Sequence, residues 1–124
     1  MDYSFKGLKV YQLAYALAMD IFEISRDFPK EERYSLTDQI RRSSRSVCSN
    51  IAEAYRKRKY PKYFTSKISD ADSEASETMV WIDFAFDCKY ISKEIKEKIL
   101  LKYDEVGKML GAMANDPYKF LPKK

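Results

Sequence analysis

Residues 36–59 read LTDQIRRSSRSVCSNIAEAYRKRK. Leu36, Ile40, Ser43, Val47, Ile51 and Ala54 recur at steps of three and four, the period that puts side chains on one face of a helix. Ser35-Leu36-Thr37-Asp38 fits a helix start with Ser35 as N-cap. No Gly or Pro interrupts the run before Pro61. Gln39, Ser46, Asn50 and Glu53 fall on one flank of the apolar stripe, with Arg42 just beyond, where polar groups serve a seam between helices or subunits. Arg41, Arg45 and Arg56 are expected to point away from the core. The helix ends in Arg56-Lys57-Arg58-Lys59, with Lys62 close behind. Nine bases stand against one acid, Glu53, between positions 41 and 67.

The other segments carry the same period. Val10, Ala14, Leu17, Ile21, Ile24 and Phe28 form one stripe, and Tyr11, Tyr15, Ala18 and Phe22 form a second beside it. Pro29 and the charged run after it close that helix. Pro61 opens a third helix with Phe64, Ile68, Ala71, Ala75, Thr78, Ile82 and Ala85 inward. Its second half, residues 79–86, is apolar nearly all round, which asks for cover on more than one side. Either Trp81 and Phe84 meet another subunit together with Tyr11 and Tyr15, or a terminal tail covers them. Ser92 caps a fourth helix whose stripe is Ile95, Ile99, Tyr103, Val106, Leu110 and Met113. Gly107 and Gly111 are spaced for close helix contact, and Asn115-Asp116-Pro117 ends the helix. The fold expected is all-α: an antiparallel up-down-up-down four-helix bundle with helices at about 9–27, 36–58, 61–89 and 93–114. It would be a single domain over 1–124, with a lead-in at 1–8 and a tail at 115–124 in which Phe120 and Leu121 dock.

Composition narrows the function. There is no His, so the commonest general base and metal ligand is missing, and no Gly-rich phosphate loop occurs. No catalytic residue, metal or cofactor is expected. The two Cys, at 48 and 88, fall roughly 24 Å apart in a hairpin turning near Tyr60, far beyond the about 7 Å that a bridge allows. Both are expected as buried thiols in a reducing, cytoplasmic setting, and no apolar run suffices to span a bilayer. Glu53 and Glu77 sit near the seams, and each is expected to pair with an Arg, Arg42 above all.

The net charge of +4 is unevenly spread. Six acids and no base lie between positions 70 and 87. Arg41, Arg42 and Arg45 would run beside Glu74 and Glu77 in the hairpin, while the cluster Arg56, Lys57, Arg58, Lys59 and Lys62 has no acidic neighbour there. Tyr55, Tyr60 and Tyr63 interleave it. Cations attract phosphate, and exposed tyrosines stack on unpaired bases. Three readings stay open: RNA or DNA binding at Arg56–Lys62 with Tyr60, Arg41 and Arg45; a protein-interaction scaffold using the same rim; or charge spread for solubility alone.

Several blocks resemble a known family. These are Phe5-x-x-Leu8-x-Val10-x-Gln12-x-Ala14, Phe28-Pro29-x-Glu31, Leu36-x-x-Gln39-Ile40-Arg41-Arg42-Ser43 and Ser46-Val47-x-x-Asn50-Ile51-Ala52-Glu53. Together they are similar to the four helix bundle proteins, also called the 23S rRNA-intervening sequence protein family. The accessory variability protein of diversity-generating retroelements is a more distant relative. Ala54 stands where the family usually has Gly, and Ser73-Glu74 where many members have Gly-Ser. The resemblance implies a barrel-like homopentamer. Through the retroelement relative it implies a basic accessory protein that binds nucleic acid and a reverse transcriptase.

Overall fold

The structure, a computed structural model, describes residues 4–122. Four α-helices and no strand occur among them: α1 (Lys9–Ser25), α2 (Leu36–Arg56), α3 (Pro61–Asp87) and α4 (Lys93–Asn115). Short 3₁₀ turns at Phe5–Gly7, Lys30–Glu32 and Pro117–Phe120 lead in, connect and close. Each helix packs on its two neighbours in the cyclic order α1, α2, α3, α4. Arg42 pairs with Glu77 and Tyr63 with Glu53, so α2 and α3 run antiparallel. Lys96 beside Asp83 and Gly107 beside Asp72 give α3 and α4 the same relation. The expected up-down-up-down bundle is therefore the fold.

The core is made of the residues that the three-four stripes select. Val10, Ala14, Leu17 and Ile21 meet Ile40, Val47 and Ile51 of α2, Phe64, Ile68 and Ile82 of α3, and Ile99, Val106 and Leu110 of α4. Burying such side chains contributes about 1.5–3 kcal/mol each, which is what holds the helices together. Polar atoms at the centre are few. Thr78 donates its one hydroxyl proton to Ser43 Oγ (2.8 Å) or to the Glu74 carbonyl (2.9 Å). Tyr103 is 1% exposed, and among the described residues its hydroxyl meets no hydrogen-bond partner of good geometry, the Thr78 hydroxyl being close enough only to act on it electrostatically.

Several expectations need correction. α1, α2 and α3 each stop two residues early because the next amides turn tightly: Arg26 N bonds Glu23 O, Arg58 N bonds Tyr55 O and Lys89 N bonds Phe86 O. Ser35 does not cap α2. Glu32 does so, accepting from Leu36 N (3.4 Å), from Ser35 Oγ (2.6 Å) and from the Tyr90 hydroxyl (2.8 Å). Gly107 and Gly111 do not mark a close approach, since a Cβ at 107 would make ordinary contact and one at 111 would meet open space. Both thiols are free, but only Cys48 is buried; Cys88 is exposed at the end of α3. In the tail, Phe120 stacks on Phe64 (5.3 Å between centroids) while Leu121 stays exposed.

Candidate nucleic-acid interface

Helix α2 sets out the charged side chains, and its rotation decides their fate. Its inner stripe turns to the core, its two flanks face α1 and α3, and Asp38, Arg45, Ser49 and Arg56 are exposed on the outside. The expectation that Arg41, Arg42 and Arg45 run beside acids holds for Arg42 alone. Its guanidinium reaches Glu77 and also Glu74 (3.3 Å), and its Nε donates to Gln39 (3.3 Å). Arg41, expected to point outward, instead leans on α1. Its Nε donates to Ser25 Oγ (2.8 Å) and its guanidinium covers the Phe22 ring at 4.9 Å. Neither Arg41 nor Arg45 meets a carboxylate among the described residues. With Arg33 they line an open groove of about 570 Å³ that also holds Asp38, Thr37 and Ser49.

The seam is otherwise arranged than the sequence suggests. Glu53 does not pair with an Arg. It accepts from the Tyr63 hydroxyl (2.7 Å) and lies 3.5 Å from Lys67 Nζ. The Tyr63 bond, followed by the nearby ammonium of Lys67, holds its carboxyl below the usual range. Asn50 donates to the Ser46 carbonyl (2.9 Å), a bond inside α2 rather than across to a neighbour.

The turn between α2 and α3 gathers the cations. Among the described residues Arg56, Lys57, Arg58, Lys59 and Lys62 form no ion pair. Arg58 folds back, donating to the Tyr55 carbonyl (2.9 Å) with its guanidinium 4.1 Å over the Tyr55 ring. Lys59 Nζ lies 5.1 Å from the ring of Tyr60, which is 52% exposed. Of the three interleaved tyrosines, Tyr60 alone offers a ring that is neither covered by Arg58 nor anchored to Glu53. The cluster lies at and beyond the end of α2 and the Arg41–Arg45 pair in its first half, Arg45 and Arg56 being about 16 Å apart along its axis.

Two residues of this surface were not singled out from the sequence: Arg33 and Tyr34. Tyr34 is 85% exposed, and the Arg33 guanidinium lies 6.0 Å from its ring. Their signal was an Arg-Tyr pair directly ahead of the α2 start, which reads equally well as connector.

The apolar surfaces stand apart. Trp81 and Phe84 pack on each other (5.9 Å) and line a groove of about 450 Å³ with Tyr34, Leu36 and Gln39. Phe84 is 53% exposed, and no described tail residue covers it: Phe5 packs on Tyr11 and Phe120 on Phe64. On the other flank Tyr11, Tyr15, Met19 and Phe22 line a groove between α1 and α2. Among the described residues no three acids or cysteines come together as a metal site, and no helix is long and apolar enough to cross a membrane.

Fold and surface together define a small helical bundle with a cationic face. The chain belongs to the 23S rRNA-intervening sequence protein family, which it matches over residues 6–112. It is also similar to a solved structure from Bacteroides thetaiotaomicron, a protein with unknown function from the S23 ribosomal protein family. That likeness has a TM-score of 0.76 and 27% identity, over 85% of this chain and 97% of the other. No curated protein shows significant similarity to it.

Proposed function

We propose that this chain is a non-enzymatic, cytoplasmic homo-oligomer whose cationic end binds nucleic acid, RNA in the first place. One observation carries the reading: among the described residues the five cations at the α2–α3 turn form no ion pair, and they stand beside the half-exposed ring of Tyr60. Such cations gain by exchanging their own counterions for phosphates. Membership of a family named for an rRNA insertion supports RNA as the partner. Assembly is supported by two dissimilar apolar surfaces, one around Trp81 and Phe84 and one around Tyr15 and Met19. Dissimilar surfaces join head to tail and close into a ring, with five subunits the number that the family resemblance implies. A ring would repeat the turn around one rim and raise avidity.

Binding of a structured RNA should weaken steeply from 50 to 200 mM salt. An Arg56→Ala, Lys57→Ala, Arg58→Ala, Lys59→Ala variant should flatten the log–log slope by up to about 3. Unchanged binding in that variant refutes the reading. Trp81→Glu should disperse the oligomer in light scattering, and a monomeric wild type refutes the assembly. A second reading, a scaffold for a protein partner, is favoured by the open Trp81–Phe84 groove. Tight binding of one purified partner that survives nuclease and the four-alanine change would select it.

A further inference from the structure

We infer that the nucleic acid is an unpaired strand laid along α2, from the Arg33–Arg45 groove to the 57–62 turn. The inference rests on the nucleic-acid reading above and adds the class of strand and its path. Arg41, Arg45, Ser49 and Arg56 succeed one another along α2 at intervals of four, four and seven residues. Arg33 extends the row at one end and Lys59 at the other. Over 21 residues the helix is about 30 Å long, room for roughly nine phosphates of a stacked strand at about 3.4 Å each. Ser49 and Ala52 keep the middle of the row low. Asp38 is its one acid.

Between Arg45 and Arg56 the row is one charge wide. On the α3 side lie Glu74 and Glu77, already holding Arg42, and Glu53 and Asp70 around Lys67. On the α1 side lies the groove of Tyr15, Met19 and Phe22, bordered by Arg45 and taken up by a neighbouring subunit in the assembly proposed above. A duplex presents two rows of phosphates, one on each side of its grooves. Its second row would fall on carboxylates or against that subunit, whereas a single strand has no second row. Two exposed tyrosines stand beside cations of the track, Tyr34 by Arg33 at the edge of the Trp81–Phe84 groove and Tyr60 by Lys59 at the turn. Open rings of this kind stack on bases that are not already paired.

The test is fluorescence anisotropy of the wild-type oligomer with a labelled, unstructured 12-nucleotide RNA and with the duplex of the same sequence. The single strand should bind at least tenfold tighter at equal salt. Arg33→Ala with Arg45→Ala should lower the salt slope by about 1.4, two phosphate contacts on a single strand. Tyr34→Ala should weaken binding roughly tenfold and leave the slope unchanged. All three residues are exposed, so folding is preserved, and circular dichroism verifies it. Duplex binding as tight as the single strand overturns the inference. So do normal Arg33/Arg45 and Tyr34 variants while the four-alanine turn variant loses binding, a result that leaves the rim reading standing. If the wild type binds neither probe, both readings fall.

Discussion

Tyr103→Phe should stabilise this protein. The side chain is 1% exposed, and among the described residues its buried hydroxyl meets no hydrogen-bond partner of good geometry. Burial pushes the phenol well above its ordinary range; the Thr78 hydroxyl opposes the shift, yet its proton is committed to Ser43 or to Glu74. A buried polar group without a hydrogen bond costs about 1–3 kcal/mol. Removing the oxygen leaves a void of one hydroxyl, which costs a few tenths of a kcal/mol at about 24 cal/mol per Å³. The net gain is about 1 kcal/mol. With about 2.1 cal/mol/K per residue over 124 residues, that raises Tm by roughly 4 °C. Thermal denaturation at one fixed protein concentration measures it, because assembly would otherwise shift Tm. Thr78→Val is the control: it removes a satisfied hydroxyl and should destabilise by about 1 kcal/mol. A Tm for Tyr103→Phe below that of the wild type means the phenol is hydrogen-bonded, and the reasoning fails.

Two further outcomes follow from single side chains. Cys88 is exposed, whereas burial pushes the Cys48 thiol up to about 11, so an aromatic disulfide reagent should titrate one thiol per native chain well before the other. Cys88→Ser must abolish the fast phase; a fast phase that persists contradicts the assignment. The bonds from Ser35 and Tyr90 hold the Glu32 carboxyl below its ordinary 4.5. A lowered folded-state pKa gives stability that is present above the unfolded value and lost as pH falls through the folded one. Wild type should therefore exceed Glu32→Gln in Tm at pH 7, with the gap closing below about pH 4.5. A gap independent of pH would show that the charge contributes nothing.

The architecture was legible because burial imposes the helical period directly on residue type: Ile40, Val47 and Ile51 could serve no other face. The Arg42–Glu77 pair followed from the hairpin register alone. What escaped depended on the rotation of each helix and on the reach of long side chains, which no stripe encodes. Arg41 and Arg45 are four residues apart, yet a small turn about the axis ties the first to Ser25 and leaves the second free. Glu53 meets Tyr63 and Lys67 because they stand opposite it across the hairpin, whereas Arg42 lies about 16 Å back along α2. Cys88 follows an apolar segment and reads as core, but α3 ends just before it. The turn cluster was visible as a run of cations. Arg33 and Tyr34 were not, because nothing in their spacing distinguishes a groove wall from a connector.

The even number of antiparallel rods places the start of α1, the end of α4 and the Lys57–Tyr60 turn at the same pole of the bundle. A fluorophore attached at Lys9 or Asn115 therefore sits at the cationic pole and screens it. A probe inserted in the 88–92 connector sits at the far pole, some 30 Å off along the rods, and leaves the charged end clear.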